Sequence, residues 1–97
     1  MHFSHDALDI ALAVRRHEGP DVKGVGPDTA TLLSLGSLGE KEPRAVRAAL
    51  EELEQQGMFR VSRCIGTDRP GVPPELRDIA KVAILEPMQQ LLDEMGL

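Results

Sequence analysis

The sequence is almost free of aromatic residues. Phe3 and Phe59 are the two aromatic side chains among 97 residues, and tryptophan and tyrosine are absent. Domains that bind single-stranded nucleic acid or RNA stack the bases on exposed aromatic rings. The composition therefore argues against these two classes of ligand.

Cysteine is scarce as well. Cys64 is the single cysteine, so the chain cannot form an internal disulfide, and no second cysteine lies at the CxxC spacing of a redox site. We interpret Cys64 as a small strand residue. A protein of the reducing cytoplasm is expected.

Long apolar runs are also missing. No stretch approaches the roughly 18 apolar residues of a membrane span, and Met1 is not followed by the basic and hydrophobic regions of a signal peptide. Apolar residues make up 41% of the chain and charged residues 28%, which is ordinary for a globular protein. We expect one small soluble domain without a membrane partner. Its core is modest enough for a second subunit to add stability.

Negative charge is in excess, and the formal net charge is −5. This is the wrong sign for a protein whose whole surface attracts nucleic acid, so the distribution of charge matters more than its total. Arginines flank an acidic cluster at residues 51–54 on both sides, which allows a basic face on an acidic molecule. These arginines are Arg44, Arg47, Arg60, Arg63 and Arg69.

Three helices are predicted in the first 57 residues. Ser4 suits the N-cap of a first helix that ends before Gly19, and Asp28 suits the N-cap of a second helix, "TATLLSL". A loose linker, "GSLGEKE", follows. Pro43 begins a third helix, which Gly57 ends. Its apolar face consists of Val46, Ala49, Leu50 and Leu53.

The remaining segments predict two strands and a last helix. "DVKGVG" at 21–26 is suited to one short strand, and the alternation of "MFRVSRCI" at 58–65 predicts another. After "TDRPGVPPE" the sequence leaves little room for a full returning strand. The final stretch, "ELRDIAKVAILEPMQQLLDEMGL", has helical periodicity and predicts a helix that Pro87 kinks or splits.

The segment "EPRAVRAALEELEQQGMFRVSR" at 42–63 resembles the winged helix-turn-helix domain of bacterial and archaeal transcriptional regulators. A core valine, two core leucines, a terminal glycine and a strand follow one another at the spacing usual in that family. At the level of the fold the resemblance covers residues 5–72. The matching residues are Val46, Leu50, Leu53, Gly57 and the "MFR" at 58–60.

The resemblance implies a mainly α fold, with a three-helix core and a short β-hairpin wing in residues 1–72. The helical periodicity of the final stretch adds a C-terminal helix in residues 73–97. The resemblance also implies that the third helix lies in the major groove of DNA and that the wing touches the adjacent backbone or minor groove. A solvated ion pair is the ordinary explanation for Arg47, four residues before Glu51. The residues that the resemblance assigns to DNA are Arg44, Arg47, Ala48, Arg60, Arg63 and Arg69.

The C-terminal segment has a heptad-like apolar stripe. Packing of this stripe on its own domain and pairing with a second copy are both open, and we favour a homodimer, because a small core gains much from a shared helix. The stripe consists of Ile84, Met88, Leu91 and Met95.

Nothing in the sequence indicates catalysis. His2, His5 and Asp6 lack the third and fourth donors of a metal site, and "GVGP" at 24–27 lacks the following "GK" of a phosphate loop. No serine is marked as activated. We therefore expect no enzyme, no cofactor and no metal.

Two functional hypotheses remain. The first is a dimeric regulator of transcription that binds specific sequences of double-stranded DNA and acts by occupying an operator. The alternative is an acidic winged-helix interaction module, such as an adaptor or a phage- or plasmid-type inhibitor, that binds a basic protein and no DNA. The flanking arginines favour the regulator, whereas the net charge of −5 favours the module.

Overall fold

The computed structural model describes residues 3–18, 27–65 and 71–96, which contain four α-helices and a two-stranded antiparallel sheet. The prediction of a mainly α chain is confirmed at this level. The strand expected at 21–26 lies outside the described residues. In chain order the elements are α1 His5–Glu18, α2 Thr29–Leu33, α3 Pro43–Gln55, β1 Phe59–Arg63, β2 Ile79–Ile84 and α4 Glu86–Glu94.

The N-caps predicted for α1 and α2 are both confirmed. Ser4 Oγ accepts a hydrogen bond from the backbone N–H of Ala7 at 3.2 Å. Asp28 Oδ1 accepts one from the N–H of Thr31 at 2.7 Å. Each side chain thereby satisfies an N–H group that the first turn of a helix leaves without an internal partner.

The segment between α2 and α3 is more ordered than the expected loose linker. A short 3-10 turn, Leu38–Glu40, lies within it, and the side chain of Leu38 is buried. Burial of this one apolar side chain fixes the turn against the core, because exposing it to water would forfeit roughly 1.5–3 kcal/mol of hydrophobic stabilisation.

Helix α3 begins and ends where the sequence predicts. Pro43 is its first residue, and the predicted apolar face is buried. At the end of the helix Gly57 has a φ of +74°. The N–H of Met58 donates to the carbonyl of Leu53 at 2.9 Å, and the N–H of Gly57 donates to the carbonyl of Glu54 at 3.0 Å. These two bonds form a Schellman motif, which turns the chain directly into β1.

Strand β2, Ile79–Ile84, lies in the segment expected to be helical, so the prediction of a helix is wrong there. β2 pairs antiparallel with β1, with Phe59 opposite Ile84 and Val61 opposite Val82. The apolar spacing of this segment also fits a helix, but its β-branched residues favour a strand once a pairing partner is present. A full returning strand therefore exists after all.

Pro87 does not kink a helix. It lies in the first turn of α4, where the missing N–H costs no hydrogen bond. Met88 and Leu92 of α4 belong to the same buried cluster as residues of α1 and α3. Arg15 of α1 holds α4 from outside, because its Nη1 donates to the carbonyl of Gln89 at 3.0 Å and its Nη2 pairs with Asp93.

A third segment lies along the edge of β2. The N–H of Val82 donates to the carbonyl of Pro27 at 3.1 Å, and Asp28 and Lys81 form an isolated antiparallel bridge. The buried hydroxyl of Thr29 donates to the carbonyl of Ile79. β2 therefore lies between β1 and the chain just before α2.

The residues predicted to mediate dimerisation do not form one helical stripe. Ile84 lies on β2 and is buried, and Met88 is buried in the core of the single chain. Leu91 is half-buried, whereas Met95 is 48% exposed. The homodimer stays a prediction, and Met95 is the member of the set whose side chain is available to a second copy. Among the described residues, no helix is long and apolar enough to cross a membrane.

Candidate nucleic-acid interface

The outward face of α3 carries two of the predicted DNA-binding residues. Arg44 and Ala48 are both exposed and lie one turn apart, opposite the buried face of the helix. Arg44 forms no ion pair or hydrogen bond with any residue in 3–18, 27–65 or 71–96. Its guanidinium is therefore available to a ligand.

Arg47, on the flank of the same helix, is fully engaged. Its Nη1 and Nη2 bind Oδ1 and Oδ2 of Asp78 at 2.6 and 3.1 Å. Nη1 also donates to the carbonyl of Glu75 at 2.8 Å, and Nε pairs with Glu51 at 3.0 Å. Such a two-pronged contact with one carboxylate is the strongest geometry open to arginine.

Arg63, at the end of β1, binds the same aspartate from the other side. Its Nη1 lies 3.5 Å from Oδ2 of Asp78, and its Nη2 lies 2.7 Å from Oε1 of Glu54. Charges of alternating sign therefore link α3, β1 and the residue just before β2. We call this set the Asp78 network, and it consists of Glu51, Arg47, Asp78, Arg63 and Glu54.

The network perturbs the titration of its central pair. The hydrogen bonds from Arg47 hold the pKa of Asp78 below its usual value, and the same contact raises the pKa of Arg47. Both groups are therefore charged at neutral pH. With two arginines and three carboxylates, the network has a net charge of −1.

The remaining acid of α3 is also engaged. Glu52 Oε2 accepts a hydrogen bond from the N–H of Ser4 at 2.9 Å, next to the positive end of the α1 dipole. Each of the three glutamates of α3 thus binds a donor of this chain, and for Glu51 that donor, Arg47, lies on α3 itself. Of the five charged residues on α3, Arg44 is the one without a partner among the described residues.

The outer face of the hairpin is basic. Arg60 lies opposite Ala83 and Ser62 opposite Lys81, and paired residues lie on the same face of a sheet. Arg60 and Lys81 are exposed and form no ion pair with a described residue. The sequence does not identify Lys81 as a site residue, because the spacing of its segment predicts a helix. The β-branched residues of "IAKVAI" were the available signal.

The six predicted DNA-binding residues thus fall into three groups. Arg44, Ala48 and Arg60 are exposed and without an ion pair. Arg47 and Arg63 belong to the Asp78 network. Arg69 lies in 66–70, outside the described residues.

Lys41 is a cation of a different kind. Its Nζ lies 2.7 Å from Asp6 and 3.0 Å from Asp9, so it ties the chain before α3 to α1. The hydrogen bonds that Lys41 donates to Asp6 and Asp9 raise its pKa. It has no unpaired charge to offer a ligand.

The described residues contain no group of three or more His, Cys, Asp and Glu side chains placed to hold a metal ion. Cys64 follows β1, where its N–H donates to the carbonyl of Asp78 at 2.8 Å and its Sγ donates to that of Arg77 at 3.4 Å. These contacts give Cys64 a structural position at the base of the hairpin.

Comparison with protein-family models, with curated proteins and with solved structures found no match in any of the three. The functional assignment therefore depends on the residues of this chain. Within them, Arg44 of α3 and Arg60 and Lys81 of the hairpin are exposed cations without an ion pair to a described residue.

Proposed function

We propose that this chain is a winged-helix protein that binds double-stranded DNA through α3 and regulates transcription by occupying an operator. The order of elements supports the proposal. A first helix, a short segment bridged to β2, two further helices and an antiparallel hairpin follow one another as in that family. The Schellman motif at Gly57 places the hairpin directly after α3.

The observation that carries the proposal is that Arg44 is exposed and unpaired among the described residues. It is the charged residue of α3 left without a described partner, and it lies on the exposed face of the first turn. An arginine at this place on a recognition helix binds the O6 and N7 atoms of guanine or a phosphate. Ala48, one turn later, is small enough to let the helix approach the bases and to contact a thymine methyl group.

The hairpin supplies the second part of the proposed interface. Arg60 and Lys81 project from its outer face, and cations on a wing bind phosphates without reading sequence. In this arrangement Arg44 and Ala48 supply sequence recognition. Arg60 and Lys81 supply affinity that depends on salt.

Selection from a random pool of double-stranded DNA at two salt concentrations tests the proposal. We expect enrichment of a common sequence and an affinity that falls as salt rises, because phosphate contacts release counterions. Absence of enrichment, together with no dependence of binding on salt, would reject a DNA-binding role.

A second candidate is the acidic interaction module with a basic protein partner. The observation in its favour is that Arg47 and Arg63, two of the predicted DNA contacts, are held by carboxylates of the same chain. Several acids are exposed and form no ion pair among the described residues, so they are available to a basic partner. These acids are Glu40, Glu42, Glu75, Glu86 and Glu94. A wild-type chain that selects no DNA would favour this candidate.

A further inference from the structure

Asp78 lies between the two arginines that the proposed interface would otherwise offer to phosphate. It precedes β2, and its carboxylate binds Arg47 of α3 on one side and Arg63 of β1 on the other. We infer that Asp78 limits the affinity of this chain for DNA, because its carboxylate competes with DNA phosphates for Arg47 and Arg63. This inference rests on the proposed function.

Both arginines are placed to reach DNA if they are released. Arg47 follows Arg44 by three residues on the same helix, and Arg63 ends the strand that begins two residues after Gly57. Their side chains are 32% and 42% exposed, so each guanidinium already borders solvent. Freed from Asp78, they would add two cations next to the outward face of α3.

The competition is close in energy. The side chain of Asp78 is 40% exposed, so water screens its ion pairs and weakens them. A phosphate offers the same two-pronged acceptor to arginine. Asp78 therefore weakens contacts with phosphate without abolishing them.

The backbone keeps the competing carboxylate in place. The carbonyl of Asp78 accepts the N–H of Cys64 at 2.8 Å, and Ile79 pairs with Arg63 in the sheet. Asp78 is thus held by the hairpin that carries Arg63. Glu51 and Glu54 hold the other ends of the arginines, so this flank of α3 presents a charge of −1 to DNA.

Contacts with phosphates and contacts with bases have different effects on DNA binding. Contacts with phosphate strengthen binding to every sequence, whereas contacts with base edges strengthen binding to one. By holding back two cations, Asp78 lowers affinity for all sequences about equally. It therefore limits the affinity for DNA and the dependence of that affinity on salt, and leaves the ratio of specific to non-specific binding unchanged.

Asp78→Asn tests the inference, with Asp93→Asn as the matched control. Both variants remove one carboxylate that is paired with arginine, but Asp93 binds Arg15 on the α1–α4 side of the molecule. The measurement is the affinity for a short duplex of mixed sequence over a salt series. We expect Asp78→Asn to bind more tightly, with a log–log salt slope steeper by about 0.9 for each arginine that gains a phosphate. Asp93→Asn should keep the wild-type slope.

Equal slopes and affinities for the two variants would overturn the inference while leaving the proposed function intact. Weaker binding by Asp78→Asn would also overturn it, because Asp78 would then help binding by positioning the hairpin. If wild type and both variants bind no DNA, the proposed function and the inference both fail. Binding by Asp78→Asn alone would support the inference strongly.

A second variant covers the case in which Asp78→Asn does not fold. Glu54→Gln removes the carboxylate from the other end of Arg63, at 2.7 Å, and leaves Asp78 in place. We expect a slope steeper than that of Asp93→Asn, by up to about 0.9, since a single arginine is loosened. A slope equal to that of Asp93→Asn would then count against the inference.

Discussion

The two faces of α3 differ in how their side chains are used. The inner face is apolar and fully buried, and its members pack against residues of α1 and the sheet. The outer face is exposed, and there Arg44 has no described partner while Arg47 is held by Asp78. Folding and the proposed binding thus rest on separate residues of one helix. Variants of the two faces should therefore separate the two properties.

The largest expected effect comes from the inner face. Leu50→Ala should lower the free energy of unfolding by about 2–5 kcal/mol, because it removes a fully buried side chain and leaves a cavity. Urea unfolding measures the change. Gln55→Ala, on the exposed face, is the control and should stay within about 0.5 kcal/mol of wild type. A loss of similar size in both variants would contradict the division between the faces.

The end of α3 should give a smaller effect. Gly57→Val places a β-branched residue at a φ of +74°, which costs roughly 1–2 kcal/mol of backbone strain. No atom lies within 4 Å of a Cβ built there, so strain rather than a clash is the cause. Thermal unfolding checks the prediction, with Gln56→Ala as the control at an ordinary helical φ. An unchanged melting temperature for Gly57→Val would contradict the proposed strain.

The Asp78 network should stabilise the fold only slightly, and in a way that depends on pH. The pKa of Asp78 is lowered in the folded chain, so its contribution is present above the unfolded value of 3.8 and disappears as pH falls through the folded value. Solvent screening keeps this contribution below about 1 kcal/mol. Urea unfolding of wild type and Asp78→Asn should therefore differ at neutral pH and converge in acid. A difference in the free energy of unfolding that grows in acid would contradict the lowered pKa of Asp78.

Met95 should have almost no effect on the stability of the single chain. It is 48% exposed, so Met95→Lys should change the free energy of unfolding by less than about 0.5 kcal/mol. If α4 joins two copies, however, the lysine should shift the mass in solution from dimer to monomer. Gln90→Lys, on the opposite and exposed side of α4, is the control and should keep the dimer. A wild-type chain that is already monomeric would reject the predicted dimer.

Features that depend on neighbouring residues were predictable from the sequence. The caps at Ser4 and Asp28, the buried face of α3 and the turn at Gly57 each follow from residues within one or two turns of each other. The pair of Arg47 with Glu51 has the same local origin.

Features that depend on distant residues were not predictable. β2 forms because β1 pairs with it, and its own spacing suits a helix equally well. Asp78 lies 31 residues from Arg47 and 15 from Arg63, so no periodicity in the sequence connects them. The sequence therefore presents Arg47 and Arg63 as free cations, and only the fold brings Asp78 to them.

A comparison of Arg44→Ala with Arg16→Ala tests whether the outward face of α3 binds DNA. Affinity for a DNA duplex selected by the wild-type chain should be measured for Arg44→Ala and for Arg16→Ala. Arg16 is also exposed and without an ion pair among the described residues, but it lies near the end of α1. Both variants should unfold like wild type, and Arg44→Ala alone should lose about 1–3 kcal/mol of binding free energy if it contacts a base. Equal affinity of the two variants for the selected duplex would remove the outward face of α3 from the interface.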